Sequence, residues 1–278
     1  MPTPGQSLVG FLDQAQGIAH LKSACVVSDP AEAALAAEWV AARQRLGAPT
    51  QRAGRPEILP IPKEGMAHIQ NLLQQQWVAQ QLQAALKDCE FVLAEIKPLL
   101  AFQLSVDSSR SDQHNGHVAK NPSLSDMLPI CLPLDAANEP IQVHQAAGSL
   151  MVTSRSLNFQ AFARGFIHQN FIGLQVGVSL PLVHVVRFND RCYLHNGFHR
   201  AVGLGKRGAT HVPCVFRDVT SPEAVGIKPE GTFLLDLLES EDPPTVAHFV
   251  DDRAYDVRLK AFKRTLHISW AEYITTEE

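Results

Sequence analysis

Apolar side chains recur every three or four residues in two stretches near the N-terminus. In the first, Leu35, Trp39, Ala42 and Leu46 share a face, Asp29, Pro30 and Glu32 supply start signals and Gly47 a stop, so the spacing predicts a helix from about Ser28 to Leu46. In the second, Met66, Ile69, Leu73 and Trp77 predict a helix from Glu64 to Lys87 whose seven glutamines between Gln70 and Gln83 form a solvated face. The prolines at 49, 56, 60 and 62 make residues 48 to 63 an irregular connection. Farther on, Phe91–Ile96 and Leu99–Val106 read as short strands, and 105 to 126 as a polar loop able to act as a lid. Met127–Leu134 and Ile141–His144 read as extended, proline-broken edge strands. Leu157, Phe159, Phe162, Phe166 and Ile167 are spaced for the buried face of a helix within Met151–Gln175, which Ser154 or Ser156 can cap. After Val219, Phe233–Glu239 reads as a helix, and the alternation through Asp256–Tyr273 reads as a terminal hairpin.

The most informative stretch lies between these parts. Residues 182 to 188 are apolar or β-branched except His184 and Arg187, Asn189-Asp190 offers a turn, and Cys192–His195 can return as the second arm of a hairpin. Asn196-Gly197 opens a short helix carrying Ala201, Val202 and Leu204, which Lys206-Arg207-Gly208 closes before a strand from Val212 to Val219. A glycine at such a junction lets backbone approach a ligand. The free N–H groups of the first helical turn, completed by His199 and Arg200, can hold an anion.

The order Leu-Pro-Leu-Val-His-Val-Val, hairpin, Gly197-Phe198-His199-Arg200, short helix, Gly208 and Val212-Pro213-Cys214-Val215 resembles the ParB/sulfiredoxin superfamily, over about residues 150 to 219. The resemblance implies that the box binds nucleotide phosphates through Gly197, His199 and Arg200, with Asn196 beside them in the turn; should the site hydrolyse or transfer a phosphate, as a nucleoside triphosphatase or phosphotransferase, His199 and Arg200 are the candidate catalytic residues, and otherwise it binds without catalysing. Phe198 stands where sulfiredoxins carry their catalytic cysteine and where ParB proteins commonly carry an acidic residue, so neither of those roles passes to this chain. ParB proteins usually follow the box with a helix-turn-helix, and none is legible here.

Charge sharpens this picture. The chain is net −4, yet from Pro140 to Asn189 it has no Asp or Glu, and from Pro140 to Val219 eight Arg and Lys face only Asp190 and Asp218. That segment is therefore +6 and the remainder −10, so positive potential concentrates around the box, with Arg155, Arg164 and Arg207 as secondary basic groups. A base or Mg2+ ligand would come from Asp190, Asp107, Asp112 or Glu95, since 140 to 189 offers none. His114 and His117 are too few for a closed metal site, and none is expected. Five widely spaced cysteines without a C-x-x-C pattern read as reduced core thiols, with Cys192 and Cys214 on neighbouring strands. The absence of a long apolar run and of a signal-peptide pattern predicts a cytoplasmic chain with no membrane partner.

These readings predict an α+β (mixed α/β) fold: a helical extension over 1–90, a small mixed sheet with a ParB/sulfiredoxin-like core over 91–219, and a C-terminal helix and β element over 220–278. The expected partner and cofactor is a nucleotide, with or without Mg2+. The alternative is a non-enzymatic nucleic-acid-associated or protein-interaction module that uses the same basic surface.

Overall fold

The computed structural model describes residues 1–75, 88–134, 141–154, 156, 159–168, 171–178, 181–227, 233, 235–261 and 263–271, the side chains of 160–175 excepted. β1 (Thr3–Ser7) leads into α1 (Gln14–Ala24), capped by Asp13, and then α2 (Glu32–Arg45). β2 (Ile58–Pro60), α3 (Lys63–Gln74), β3 (Glu90–Glu95), β4 (Ser105–Asp107), α4 (Ser108–Asn115) and α5 (Leu124–Cys131) follow. β5 (Ile141–Ala146), β6 (Ser149–Ser154), β7 (Phe159–His168) and β8 (Phe171–Val178) are consecutive strands. Next come β9 (His184–Phe188), β10 (Arg191–Asn196), α6 (Phe198–Lys206) and β11 (His211–Asp218). Short helices α7 (Pro222–Val225), α8 (Leu235–Glu239) and α9 (Ala247–Val250) precede β12 (Tyr255–Leu259) and β13 (Arg264–Ser269). The chain is α+β, and its sheets are antiparallel except where β9 runs parallel to β11.

Residues 1–135 and 181–261 form one compact unit, and 136–180 with 262–278 form a second. The N-terminal helices and the residues up to Ala261 belong to the unit that holds the central sheet. That sheet has the order β10-β9-β11-β3-β2. Its hairpin turns at Asn189 and Asp190, both left-handed (φ 48° and 59°), the conformation that two-residue hairpin loops favour. Register places Val185, Cys192, Leu194, Cys214 and Phe216 on one face, all buried. His184, Val186, Tyr193, Val215 and Arg217 lie on the other. Cys192 and Cys214 are buried free thiols, but β9 lies between their strands. Burial pushes the Cys192 thiol up to about 11 and raises Cys214, which makes both poor nucleophiles.

Several expectations meet a different structure. The predicted helix 64–87 is present as α3, and its residues 76–87 lie outside the described ones. The polar stretch after Ser105 contains α4, which starts because the Asp107 side chain accepts from the N–H groups of Ser109 (2.9 Å) and Arg110 (3.2 Å). It packs against α6, so it is no lid. Met127–Leu134 is mostly helical despite Pro129, since Ser123 and Asp126 form a complete capping box that starts α5. The alternation in Asp256–Tyr273 is genuine, but it makes no hairpin: β12 pairs with β1, whereas β13 pairs with β6.

In the second unit, β6 lies between β5 and β13, and β7 pairs with β8. The predicted helix over Met151–Gln175 is absent there: the segment is the end of β6, then β7 and most of β8. The β7–β8 register shifts between Phe162 and Phe166. The phenylalanine spacing that suggests a helix thus runs through regular pairing from Phe159 to Phe162 and across an irregularity after it.

Candidate functional site

The Asn196–Arg200 box builds a chain reversal. Asn196 Nδ2 donates to Leu182 O (3.0 Å), and its Oδ1 accepts from the Gly197 N–H (2.8 Å). Gly197 is the N-cap of α6 with φ 97° and ψ 21°, so a glycine suits its conformation. The space where a side chain would start is occupied from within: a Cβ on Gly197 would lie 2.8 Å from Val183 Cγ2 and 3.1 Å from Val183 Cα. Phe198 is buried edge-on to Phe102, with ring centroids 6.0 Å apart.

His199 and Arg200 are also engaged. His199 Nε2 accepts from the Asp107 N–H (3.2 Å), which places the ring proton on Nδ1 of a neutral imidazole. Burial, reinforced by Arg110 and His114, pushes its pKa down to about 4, against a smaller upward pull from Asp107. Its carbonyl accepts from Ser111 Oγ (2.8 Å) and Asn115 Nδ2 (3.2 Å), locking α4 onto α6. Arg200 is 6% exposed, and its Nη1 donates to the carbonyls of Ile130 (3.3 Å), Cys131 (3.5 Å) and Pro181. Burial lowers its pKa to about 10, which leaves it charged at neutral pH. This arginine satisfies the C-terminal carbonyls of α5, which have no partner inside their own helix.

Unspent polar groups lie on the opposite face of the sheet. His184 pairs with Val215 across β9 and β11, so Arg217, two residues along, falls on its side. His195, two residues after Tyr193 on β10, shares its face with His184, and the two rings lie with centroids 4.9 Å apart and planes at 73°. His184 Nε2 and Arg217 Nε are fully buried atoms without a hydrogen-bond partner. A carbonyl can only accept, so the 2.7 Å contact of His195 Nδ1 with Val225 O puts the ring proton on Nδ1 and leaves Nε2 bare when the ring is neutral. Burial, then His195 and Arg217, pushes the His184 pKa down to about 3. Burial lowers His195 as well, partly offset by the Val225 bond. Half-buried Phe102, 6.4 Å from the His195 ring, gives the corner an apolar flank.

The other cations of the basic segment are spent. Arg187 makes a two-pronged ion pair with Asp218 (2.6 and 2.9 Å), Arg191 Nη1 donates to Leu238 O (2.9 Å) and Ser240 O (3.0 Å), and Lys206 Nζ meets Asp252 (2.6 Å) and Gln6 (2.9 Å). Arg207 Nη1 donates to Val118 O (2.7 Å). Arg155 and the side chain of Arg164 lie outside the described residues. Among the described residues of this segment, Arg217 is the one cation with no hydrogen bond or ion pair.

The carboxylates considered as a base are occupied elsewhere or sit in turns. Besides capping α4, Asp107 accepts from Thr3 Oγ1 (2.8 Å), Glu95 bonds Arg52 (3.1 Å) and the Glu57 N–H (2.9 Å), and Asp190 forms the hairpin turn. Asp112, exposed on α4, accepts the closing Gly116 N–H through its backbone. Among the described residues no group of three or more His, Cys, Asp or Glu is arranged to hold a metal ion. No described helix is long and apolar enough to cross a membrane.

His184 was visible in the sequence as a polar interruption of an apolar strand, and Arg217 as one positive charge among eight. Only the parallel β9–β11 register brings them together. Comparison with family models, with curated proteins and with solved structures finds no match.

Proposed function

We propose that the protein binds a phosphate-bearing ligand of nucleotide type, and that the phosphate is held by His184, His195 and Arg217 on the sheet face beside the Asn196–Gly197 turn. One observation carries this reading: Arg217 keeps an unpaired guanidinium, its Nε buried, beside a His184 Nε2 that is equally buried and unpaired. A buried donor left unmatched costs roughly 1 to 3 kcal/mol, more if charged, so such a pair is best accounted for by an incoming acceptor. An oxyanion supplies acceptors for several donors at once, and a guanidinium fits phosphate with two parallel bonds. The ligand class is the one the family resemblance implies, whereas the holding groups differ: Arg200 and Gly197 face inward and serve the fold.

The alternative, a basic surface for nucleic acid or a partner protein, loses support because Arg187, Arg191, Lys206 and Arg207 are already committed. A thermal-shift panel of nucleoside mono-, di- and triphosphates, with and without Mg2+, tests the reading. A ligand at a hundredfold its Kd stabilises by about 2.7 kcal/mol, and Arg217→Gln is expected to remove that stabilisation while the apo protein melts as before. Stabilisation that survives in Arg217→Gln would move the site elsewhere. Binding of single-stranded DNA that collapses between low and physiological salt would favour the nucleic-acid reading instead.

A further inference from the structure

Resting on that reading, we infer that the corner selects a terminal phosphate monoester over a diester and takes it up together with one proton. The inference starts from the protons already in place. Val225 O fixes a hydrogen on His195 Nδ1, so a neutral His195 turns a lone pair, not a donor, outward at Nε2. A phosphate oxygen facing that lone pair is repelled unless a proton lies between them. His184 adds an unmatched Nε2 and Arg217 a full positive charge.

The groups that face the two rings are few. From β11 comes Arg217, from α7 comes the Val225 carbonyl, and each ring faces the other; Cys89, before β3, acts on Arg217 and not on the rings, and Glu223 of α7 is exposed and bonded to Ser221. Among the described residues no carboxylate acts on either imidazole, and burial with the neighbouring cation holds both rings below the usual imidazole range, which favours their neutral forms in the free protein. A dianion placed among them reverses this balance by favouring imidazolium.

A monoester, whose second ionisation lies near pH 6, arrives at about pH 8 as a dianion basic enough to share a proton with His195 Nε2. One proton is then gained from solvent, no covalent bond forms or breaks, and guanidinium plus imidazolium match two negative charges. A diester carries a single charge and an oxygen far too weakly basic to hold that proton, so the His195 lone pair stays opposed to it. Because the complex holds one more proton than its parts, affinity for the monoester is expected to fall about tenfold per pH unit once pH exceeds the pKa of the bound imidazole.

Titration calorimetry on the full chain at about pH 8 tests this with phenyl phosphate and with methyl phenyl phosphate, each in two buffers of different ionisation enthalpy. The expected result is at least about tenfold tighter binding of the monoester, with an observed heat that changes between buffers by the equivalent of one proton. His195→Gln, which cannot titrate, should lose the buffer dependence and bring the two esters to similar affinity. Equal affinities with buffer-independent heats in the unmodified protein would overturn the inference and leave phosphate binding standing. Failure of both esters, of inorganic phosphate and of nucleotides to bind would overturn the proposed function as well.

Discussion

Arg200 is a buried cation whose visible partners are carbonyl oxygens, and its position explains what the Gly197-Phe198-His199-Arg200 box does. Its Nη1 collects the carbonyls of Ile130 and Cys131, where the chain leaves the central sheet region, and of Pro181, where it comes back. Charge-assisted bonds of this kind contribute about 1.5 to 3 kcal/mol, and removing their donor also strands buried acceptors. Arg200→Ala is therefore expected to cost roughly 3 kcal/mol in urea unfolding. Phosphate affinity per folded molecule should stay unchanged. A folded Arg200→Ala protein that no longer binds phosphate would return the ligand to the box. Asn196-Gly197 announced a tight turn, and the left-handed Gly197 fulfils it. What the sequence could not announce is the direction of the glycine's open side, which the packing of Val183 decides. The same blindness hid His195: a histidine within a strand shows neither the neighbouring strand that sets His184 against it nor the Val225 carbonyl that sets its proton.

A helix with an apolar face of regular spacing was legible, whereas α5, whose capping box passed unread, and strands with irregular pairing were not. The α2 start falls two residues later than its signals put it: Ala31 is the N-cap and has no side-chain cap bond, the helix begins at Glu32, and Asp29 Oδ1 accepts from the Ala31 N–H (2.9 Å) in the turn before it. Leu35 and Ala42 are buried as their spacing predicts. The β9–β10 hairpin, α6 and β11 appear close to where turn residues and apolar runs put them. By contrast, α4 carries almost no apolar side chain to betray it, and a capping aspartate with one packed neighbour helix holds it. That role for Asp107 is open to measurement. Asp107→Ala removes the acceptor of two N–H groups and should cost about 1 kcal/mol of stability. If Asp107 instead served the phosphate site as a base or metal ligand, its loss would change ligand affinity or its Mg2+ dependence, neither of which is expected.

The division into two units follows from where the chain departs and returns, which no local spacing reveals. Residues 136–180 interrupt the first unit between α5 and β9, and 262–278 leave it after β12. The two ends of the interruption are already joined in space: the Val183 N–H donates to Cys131 O (2.8 Å), and Arg200 binds carbonyls on both sides. The first unit also closes on itself from its termini, since β1 pairs with β12 on one edge and β4 on the other. His184, His195, Arg217 and the Val225 carbonyl that orients His195 all belong to it. A chain ending at Ala261 in which 136–180 are replaced by a short Gly-Ser linker is thus expected to fold in one cooperative transition and to bind phenyl phosphate within about twofold of the full chain, a difference below 0.5 kcal/mol. Closing a short loop between ends already in contact adds little entropic cost. In that shortened chain Arg200→Ala should remain destabilising, because the carbonyls it gathers at Ile130 and Cys131 are still present. A shortened chain that folds, yet binds phenyl phosphate tenfold or more weakly, would show that the second unit contributes to the site and that three residues of the central sheet are too few to account for it.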